Sequence, residues 1–302
     1  MKLSAPLYYR DFACIADRCR HSCCVGWEID VDDETIKKYD RLDGGMGEKI
    51  RGSISYEGTP HFVLTSTERC PHLNATGLCE IILHCGENCL CDICREHPRF
   101  YHQTSNGLEV GIGMACEEAA RIILHSACYD EFISVGETDE NDLPDWDATE
   151  LRKKLYAVLS ESSIPYTARL KHIYHAYGIS PSQSTDEQWK ELLCDLEYLV
   201  PEHKDLFNVY SSDLVSNGEL DSLLERALAY FIFRHCSAAS DEEEQTAALG
   251  FCLFCERLLA SLLRTKKDCT YEDATELARI LSEEIEYSED NTNAIQNCFF
   301  NI

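Results

Sequence analysis

Apolar positions fall into two regimes along this chain. Up to about residue 135 they come in short alternating runs broken by glycine, proline and cysteine. Beyond it they recur every three to four residues, the spacing of one helix face. In the first regime Ile29-Asp30-Val31-Asp32 alternates briefly, and Asp33 begins a short helix to about Leu42 that Gly44 and Gly45 close. Ile54 and Tyr56 alternate, Gly58-Thr59-Pro60 turns the chain and His61-Phe62-Val63-Leu64 returns it, which predicts a hairpin over 53–65. A second hairpin is predicted from Phe100-Tyr101-His102, a turn at Asn106-Gly107, and Leu108, Val110 and Ile112 on the return. Cys116 then opens an apolar helix, Glu117 to Ser126. In the second regime helices are predicted over about 150–161, 166–177, 186–200, 219–236, 245–264 and 271–286. Thr185-x-x-Gln188 and Thr270-x-x-Asp273 stand where two of them start, and Pro165, Pro181 and Pro201 punctuate the series.

The expected fold is therefore α+β, predominantly α. Residues 1–135 form a Cys-rich metal-binding module with two short hairpins, 136–148 an acidic, proline-containing connector, and 149–302 a helical bundle. At 302 residues and 44% apolar content the chain has the means to bury a sizeable core.

Cysteine usage sharpens the picture. Of 18 cysteines, eleven lie between Cys14 and Cys116. The stretch MKLSAPLYYRDF holds no apolar run of the secretory kind, and the longest apolar run, Ala247 to Cys255, is too short for a bilayer. The expectation is a cytoplasmic chain with no membrane span, in which clustered thiols bind metal more readily than they form disulfides. Charge is lopsided: the formal net is −27, of which −21 falls on residues 129–302. Such a surface repels nucleic acid and anionic membrane and attracts a lysine-rich protein; a plain solvated acidic helix face has the same composition.

The densest chemistry lies between Cys14 and Trp27, with four cysteines in eleven residues. Adjacent Cys23 and Cys24 cannot easily bridge each other, because a disulfide needs convergent Cβ atoms, yet both can reach a metal centre. The constellation comprises Cys14, Cys19, Cys23, Cys24, Cys70, Cys79 and Cys94, with Cys116 as an eighth. Eight thiols satisfy two tetrahedral zinc ions or one or two iron–sulfur clusters. Cys91-x₂-Cys94 is a metal knuckle by spacing, but Cys85, Cys89 and Cys91 crowd a turn-rich HCGENCLC run with no anchoring element and are left out. Cys252 and Cys255 sit at helical spacing in FCLFCERLL and read as core; Cys128, Cys194, Cys236, Cys269 and Cys298 read as inert. His21 and His97 stand beside thiols as polar neighbours of the ligands, and His172 and His175 as surface residues.

Two enzyme classes are disfavoured. A radical S-adenosylmethionine enzyme needs Cys-x₃-Cys-x₂-Cys, and Gly26 or Asp92 occupies the third position of each candidate. Gly111-Ile112-Gly113 follows a strand and precedes a helix but lacks the third glycine of a dinucleotide-binding turn, so it reads as a tight helix entry.

The run Tyr9-x₂-Phe12-x-Cys14-x₄-Cys19-x₃-Cys23-Cys24-x₂-Trp27 resembles the flagellin lysine-N-methylase family. So do Cys70-x₂-Leu73, Gly77-Leu78-Cys79-x-Ile81, Cys94-x₂-His97-Pro98-Arg99 and Cys116-Glu117-Glu118-Ala119-Ala120-Arg121. The cysteine order is also similar to a zinc- or iron-chelating domain family with a Cys-x₃-Cys-x₂-Cys-Cys signature, from which the first group departs by one extra residue in two spacings. The likeness covers residues 7–125. It implies a protein-lysine N-methyltransferase acting on flagellin or a similar lysine-bearing protein, with a 4Fe–4S cluster (or zinc) and S-adenosylmethionine as methyl donor. No residue stands out as the donor site or as the base that deprotonates lysine. The alternative is a metal-handling or redox protein without methylase activity.

Overall fold

The computed structural model describes residues 1–105, 107–138, 146, 148–180 and 184–300. Asn106 of the expected turn, most of the acidic connector and Pro181 lie outside the described residues. The chain divides into two compact units, Ala13–Arg99 and Met1–Phe12 with Phe100–Ile302. This division differs from the one expected: the second hairpin and the helix after Cys116 join the helical unit, as does the N-terminal segment.

Strand pairing accounts for the difference. The first strand, β1 (Lys2–Pro6), is claimed by partners more than a hundred residues away, which no local pattern announces. Within the Cys-rich unit the order is α1 (Asp33–Asp40), α2 (Gly44–Gly52), β2 (Ile54–Ser55), β3 (His61–Phe62), α3 (Glu80–Cys85) and α4 (Asp92–Glu96). The helical unit continues with β4 (Arg99–Thr104), β5 (Gly107–Ile112), α5 (Glu117–His125) and β6 (Phe132–Glu137). Its sheet runs β4-β5-β1-β6, with β1 parallel to β5 (Leu3 opposite Leu108) and antiparallel to β6 (Ala5 opposite Ile133).

In the Cys-rich unit Asp32 caps α1, its Oδ1 accepting from the Thr35 N–H at 2.9 Å. Gly44 and Gly45 do not simply end that helix; they open α2, because Gly47 lets its backbone pass against the Leu42 carbonyl, where a Cβ would sit 2.2 Å away. Arg51 ties the pair by donating to the carbonyls of Tyr39 (2.6 Å) and Leu42 (2.9 Å). The hairpin β2–β3 forms as expected, with Ile54 opposite Phe62. A small core gathers Ile29, Val31, Tyr39, Ile50, Ile54, Phe62 and Ile81.

The helical unit holds α6 (Thr149–Leu159), α7 (Tyr166–Ala176), α8 (Asp186–Asp195), α9 (His203–Phe207), α10 (Asp221–Phe231), α11 (Glu242–Thr265), α12 (Tyr271–Leu281) and α13 (Glu289–Gln296). Both expected capping boxes are present, at Thr185 with Gln188 and at Thr270 with Asp273. The short α9 and α13 were not expected from the pattern. The core helix is α11, buried on all sides from Ala247 to Leu263 and packed against α10, α12 and α13. By length and composition it is apolar enough to cross a membrane, contrary to the reading of its apolar run alone, and 94% of its most apolar stretch is buried here. Cys252 and Cys255 lie in that core, as their spacing predicts.

Several charged groups buried inside this unit are paired. Arg152 forks onto Glu109 at 2.6 and 2.7 Å and also reaches Ser237 Oγ at 2.9 Å. Helices α10 and α12 each end in a π-helical turn, Ile232–Cys236 and Ser282–Glu286. These turns meet where His235 Nε2 lies 2.7 Å from Glu286 Oε1.

Candidate metal centre

The thiol-rich part of the Cys-rich unit is assembled by four backbone devices. Residues 24–26 and 68–70 run antiparallel: the Cys70 N–H donates to the Cys24 carbonyl at 2.8 Å, the Gly26 N–H to the Glu68 carbonyl at 2.8 Å, and Val25 bridges Arg69. This sets Cys24 beside Cys70. Next, Asn74 folds the chain back on itself, its Oδ1 accepting from the N–H groups of Thr76 (2.9 Å) and Leu78 (3.0 Å). Gly77 supplies the left-handed backbone (φ +81°) this turn requires, and a bridge between Leu73 and Cys79 completes it.

Cys79 and Cys91 then occupy the N-cap positions of α3 and α4, where the first backbone N–H groups of a helix have no internal partner. Neither side chain closes a capping hydrogen bond, but the N–H groups of Ile81 and Ile82 favour the Cys79 thiolate and that of Cys94 the Cys91 thiolate. The run between these helices is anchored after all. Tyr39 donates its hydroxyl to the Cys89 carbonyl at 2.8 Å, and the Asp92 N–H donates to Asp32 Oδ2 at 3.0 Å. The reason for leaving Cys91 out of the constellation therefore fails: it is 1% exposed and packs in the same small core as Cys70.

The electrostatics trace the shell. Cys24, Cys70, Cys79, Cys91 and Cys94 lie near enough to perturb one another. Cys24 is drawn down to about 7, first by a hydrogen bond with Cys23 and further by Ser22 and the positive charge of Arg69, against its burial. Cys91 is also lowered, chiefly by a hydrogen bond with Cys94, whose own thiol that bond and burial drive up. Burial pushes Cys70 up to about 12 and raises Cys79. The result is a set of thiolate-favouring and proton-holding sulfurs from four chain segments around one apolar core. His72 is fully buried next to it, its Nε2 2.8 Å from Ser53 Oγ and its ring edge-on to Phe62. Burial holds its pKa down to about 4, so it stays neutral.

The remaining thiols of the expected set are placed differently. Cys14 and Cys23 are exposed and Cys19 half-buried, its Sγ donating to the His21 carbonyl at 2.9 Å. Their loop runs past the Asn74 turn, with Asp17 Cα 3.8 Å from where a Gly77 Cβ would lie. Cys116 belongs to the helical unit, where it takes the N-cap position of α5. Cys85 and Cys89 are half-buried and interact with each other. The three N-cap cysteines share one sequence feature: Cys79-Glu80, Cys91-Asp92 and Cys116-Glu117 each pair a cysteine with an acid at the first helical position.

Sulfur donors from several segments, some favouring the thiolate, suit zinc or an iron–sulfur cluster, both of which take deprotonated cysteine. A different donor set stands in the helical unit: His203, Glu283 and Glu284 bring three ligand atoms within 4.8 Å. Its donors are already committed to the fold. Glu284 accepts from the N–H groups of Leu199 (2.7 Å) and Val200 (3.1 Å) and holds His203 Nδ1 at 2.5 Å, while Glu283 pairs with Arg279 at 2.8 Å.

No family model matches the chain, and no solved structure does. It is similar to curated proteins from three Salmonella strains. A lysine-N-methylase of Salmonella choleraesuis and one of Salmonella typhimurium are each 26% identical over 137 residues, 41% of this chain and 32% of the relative. The flagellar biosynthetic protein FliU of Salmonella muenchen is 26% identical over 130 residues, again 41% of this chain and 77% of that protein. The match thus spans about a third of the length of the lysine-N-methylases.

Proposed function

We propose that the chain is a lysine-N-methylase-like protein, transferring methyl groups from S-adenosylmethionine to lysine ε-amines of a flagellin-like substrate, with a cysteine-ligated 4Fe–4S centre in the Cys-rich unit. Two features of one chain support this reading together: the similarity to proteins named lysine-N-methylase, and a thiol shell in its N-terminal third. The coincidence of the two carries the proposal.

Cys24, Cys70, Cys79, Cys91 and Cys94 are the residues best placed to hold the centre, with Cys14, Cys19 and Cys23 on the neighbouring loop. Bound there, it ties four chain segments together and makes folding of the unit depend on metal. The chemistry of transfer needs a neutral lysine amine. Its nitrogen lone pair attacks the methyl carbon as the carbon–sulfur bond breaks; S-adenosylhomocysteine leaves, and the methylated amine then sheds a proton. The net charge of −27 raises the local concentration of a lysine-bearing partner.

The test is transfer of labelled methyl from S-adenosylmethionine to flagellin by anaerobically purified, metal-loaded protein. Label on flagellin lysines supports the reading, and none at full metal occupancy overturns it. One observation favours the alternative of a metal-handling protein without methylase activity: the similarity reaches only about a third of the lysine-N-methylases. Colour separates the metals, since an iron–sulfur protein absorbs broadly near roughly 400 nm and a zinc protein does not.

A further inference from the structure

The helical unit contains a cavity of about 370 Å³ lined by Asn217, Glu219, Leu220, Arg264, Cys269 and Tyr271 among others. It opens where α11 ends and α12 begins. That volume falls at the lower end of small-molecule sites.

Its charge is unusual for this chain. Acidic side chains outnumber basic ones by 54 to 27, so arginines find carboxylates readily. Arg152, Arg169, Arg257 and Arg279 each do so in this unit. Arg264 does not. Among the described residues its guanidinium forms no ion pair and donates to Ser261 Oγ at 3.1 Å. Desolvation and the neighbouring positive charge of Arg257 lower its pKa, and Glu256 and Asp213 oppose that from beyond ion-pair distance. The neighbouring Lys266 lines the same cavity, and its one acidic partner, Asp273 at 3.4 Å, is shared with the cap of α12. The other walls mix apolar and aromatic groups (Leu220, Leu263 and the ring of Tyr271, a side chain left 39% exposed) with polar Asn217 and Thr270 and the carboxylate of Glu219, which forms no ion pair with Arg264 among the described residues.

We propose that this cavity binds a small organic anion, its carboxylate or phosphate on Arg264 and its planar body against Tyr271, Leu220 and Leu263. Arginine suits the role because its fork pairs two oxygens of either group, and the part of the Tyr271 ring left exposed beside its contact with His125 (5.4 Å between centroids) accepts a flat ring. The inference stands apart from the methylase reading, since it rests on this cavity and its unneutralised cation.

The test is calorimetric titration of the full chain with three adenine compounds. S-adenosylhomocysteine carries a carboxylate, adenosine 5′-monophosphate a phosphate, and adenosine neither. One of the two anions is expected to bind with a Kd below about 1 mM, adenosine at least about tenfold more weakly, and Arg264→Gln to lose about tenfold or more of the anion's affinity. Preference for S-adenosylhomocysteine identifies the anion as an amino-acid carboxylate, preference for the monophosphate as a nucleotide phosphate. Because Arg264 is exposed, the variant is expected to keep the wild-type melting temperature. Tyr271→Ala provides a second variant that removes the ring and spares the charge, and it is expected to weaken both anions. Failure of both anions to bind the wild type, equal binding of adenosine, or unchanged affinity in folded Arg264→Gln overturns the proposal.

Discussion

Replacing Cys91 by serine tests the thiol shell where the structure departs most from the sequence pattern. The side chain is 1% exposed, belongs to the N-cap residue of α4, and is favoured as a thiolate chiefly by the thiol of Cys94. Serine keeps a hydroxyl that can cap the helix, so the fold of α4 survives, but it offers no thiolate. A structural site of four such ligands contributes about 10–16 kcal/mol of metal binding at neutral pH. Divided evenly, one ligand accounts for about 2.5–4 kcal/mol, a loss of roughly 10²–10³ in affinity. Cys85→Ser is the matched control, since its half-buried thiol interacts with Cys89. Iron and zinc per chain, measured by elemental analysis after anaerobic purification and again after graded chelator, provide the readout. Cys91→Ser is expected to lose its metal at chelator concentrations that leave Cys85→Ser loaded. Equal retention in both, with the wild type loaded, would refute the placement of Cys91 in the shell.

Three further outcomes follow from the geometry. Metal affinity is expected to rise by about a thousandfold per pH unit between about pH 6 and 8, because three shell thiols, Cys70 at about 12 with Cys79 and Cys94 also raised, must each shed a proton to bind; chelator competition across that range checks the slope. Gly113→Ala is expected to destabilise the helical unit by about 1–3 kcal/mol, since a Cβ there meets the Tyr287 hydroxyl at 2.1 Å and Arg234 Nη1 at 2.6 Å; urea melts measure it, and an unchanged midpoint contradicts it. His102, held down to about 3 by burial first and then by His235, Arg234 and Arg152, takes up its proton in the unfolded state near pH 6.5 but not in the folded one. Stability is therefore lost as pH falls from about 6.5 towards 3, and His102→Leu is expected to flatten that acid-side slope in melts at pH 5 and 7.

Local chemistry was legible and long-range partnership was not. Thr185 and Thr270 announced their helices because a capping box is complete within four residues, and each forms as read. The pairing of β1 with β5 joins Leu3 to Leu108, and nothing in MKLSAP distinguishes a sheet strand from a loop. That pairing moves the unit boundary from the acidic connector to residues 12–13 and 99–100. The thiols divide along the same line. Cys70, Cys79 and Cys94 stand in recognisable motifs, but only Cys79 is placed by a turn closed within a few residues; Cys70 is set by pairing with residues 24–26. Cys91 was set aside because its run looks turn-rich, and turn-rich it is; its anchors are Tyr39 and Asp32, some fifty and sixty residues earlier. What the sequence did hold was the cysteine–acid pair at residues 91–92, the same pair found at 79–80 and 116–117. At these three places the acid at the first helical position answers the unpaired N–H groups of the helix start, whereas Cys194-Asp195 ends a helix and Cys255-Glu256 sits inside one, so the pair alone marks neither a cap nor a ligand. Cys91 joins the shell through its burial in the small core that also holds Cys70 and against which Cys24, Cys79 and Cys94 pack, which a pair of neighbouring residues alone does not reveal.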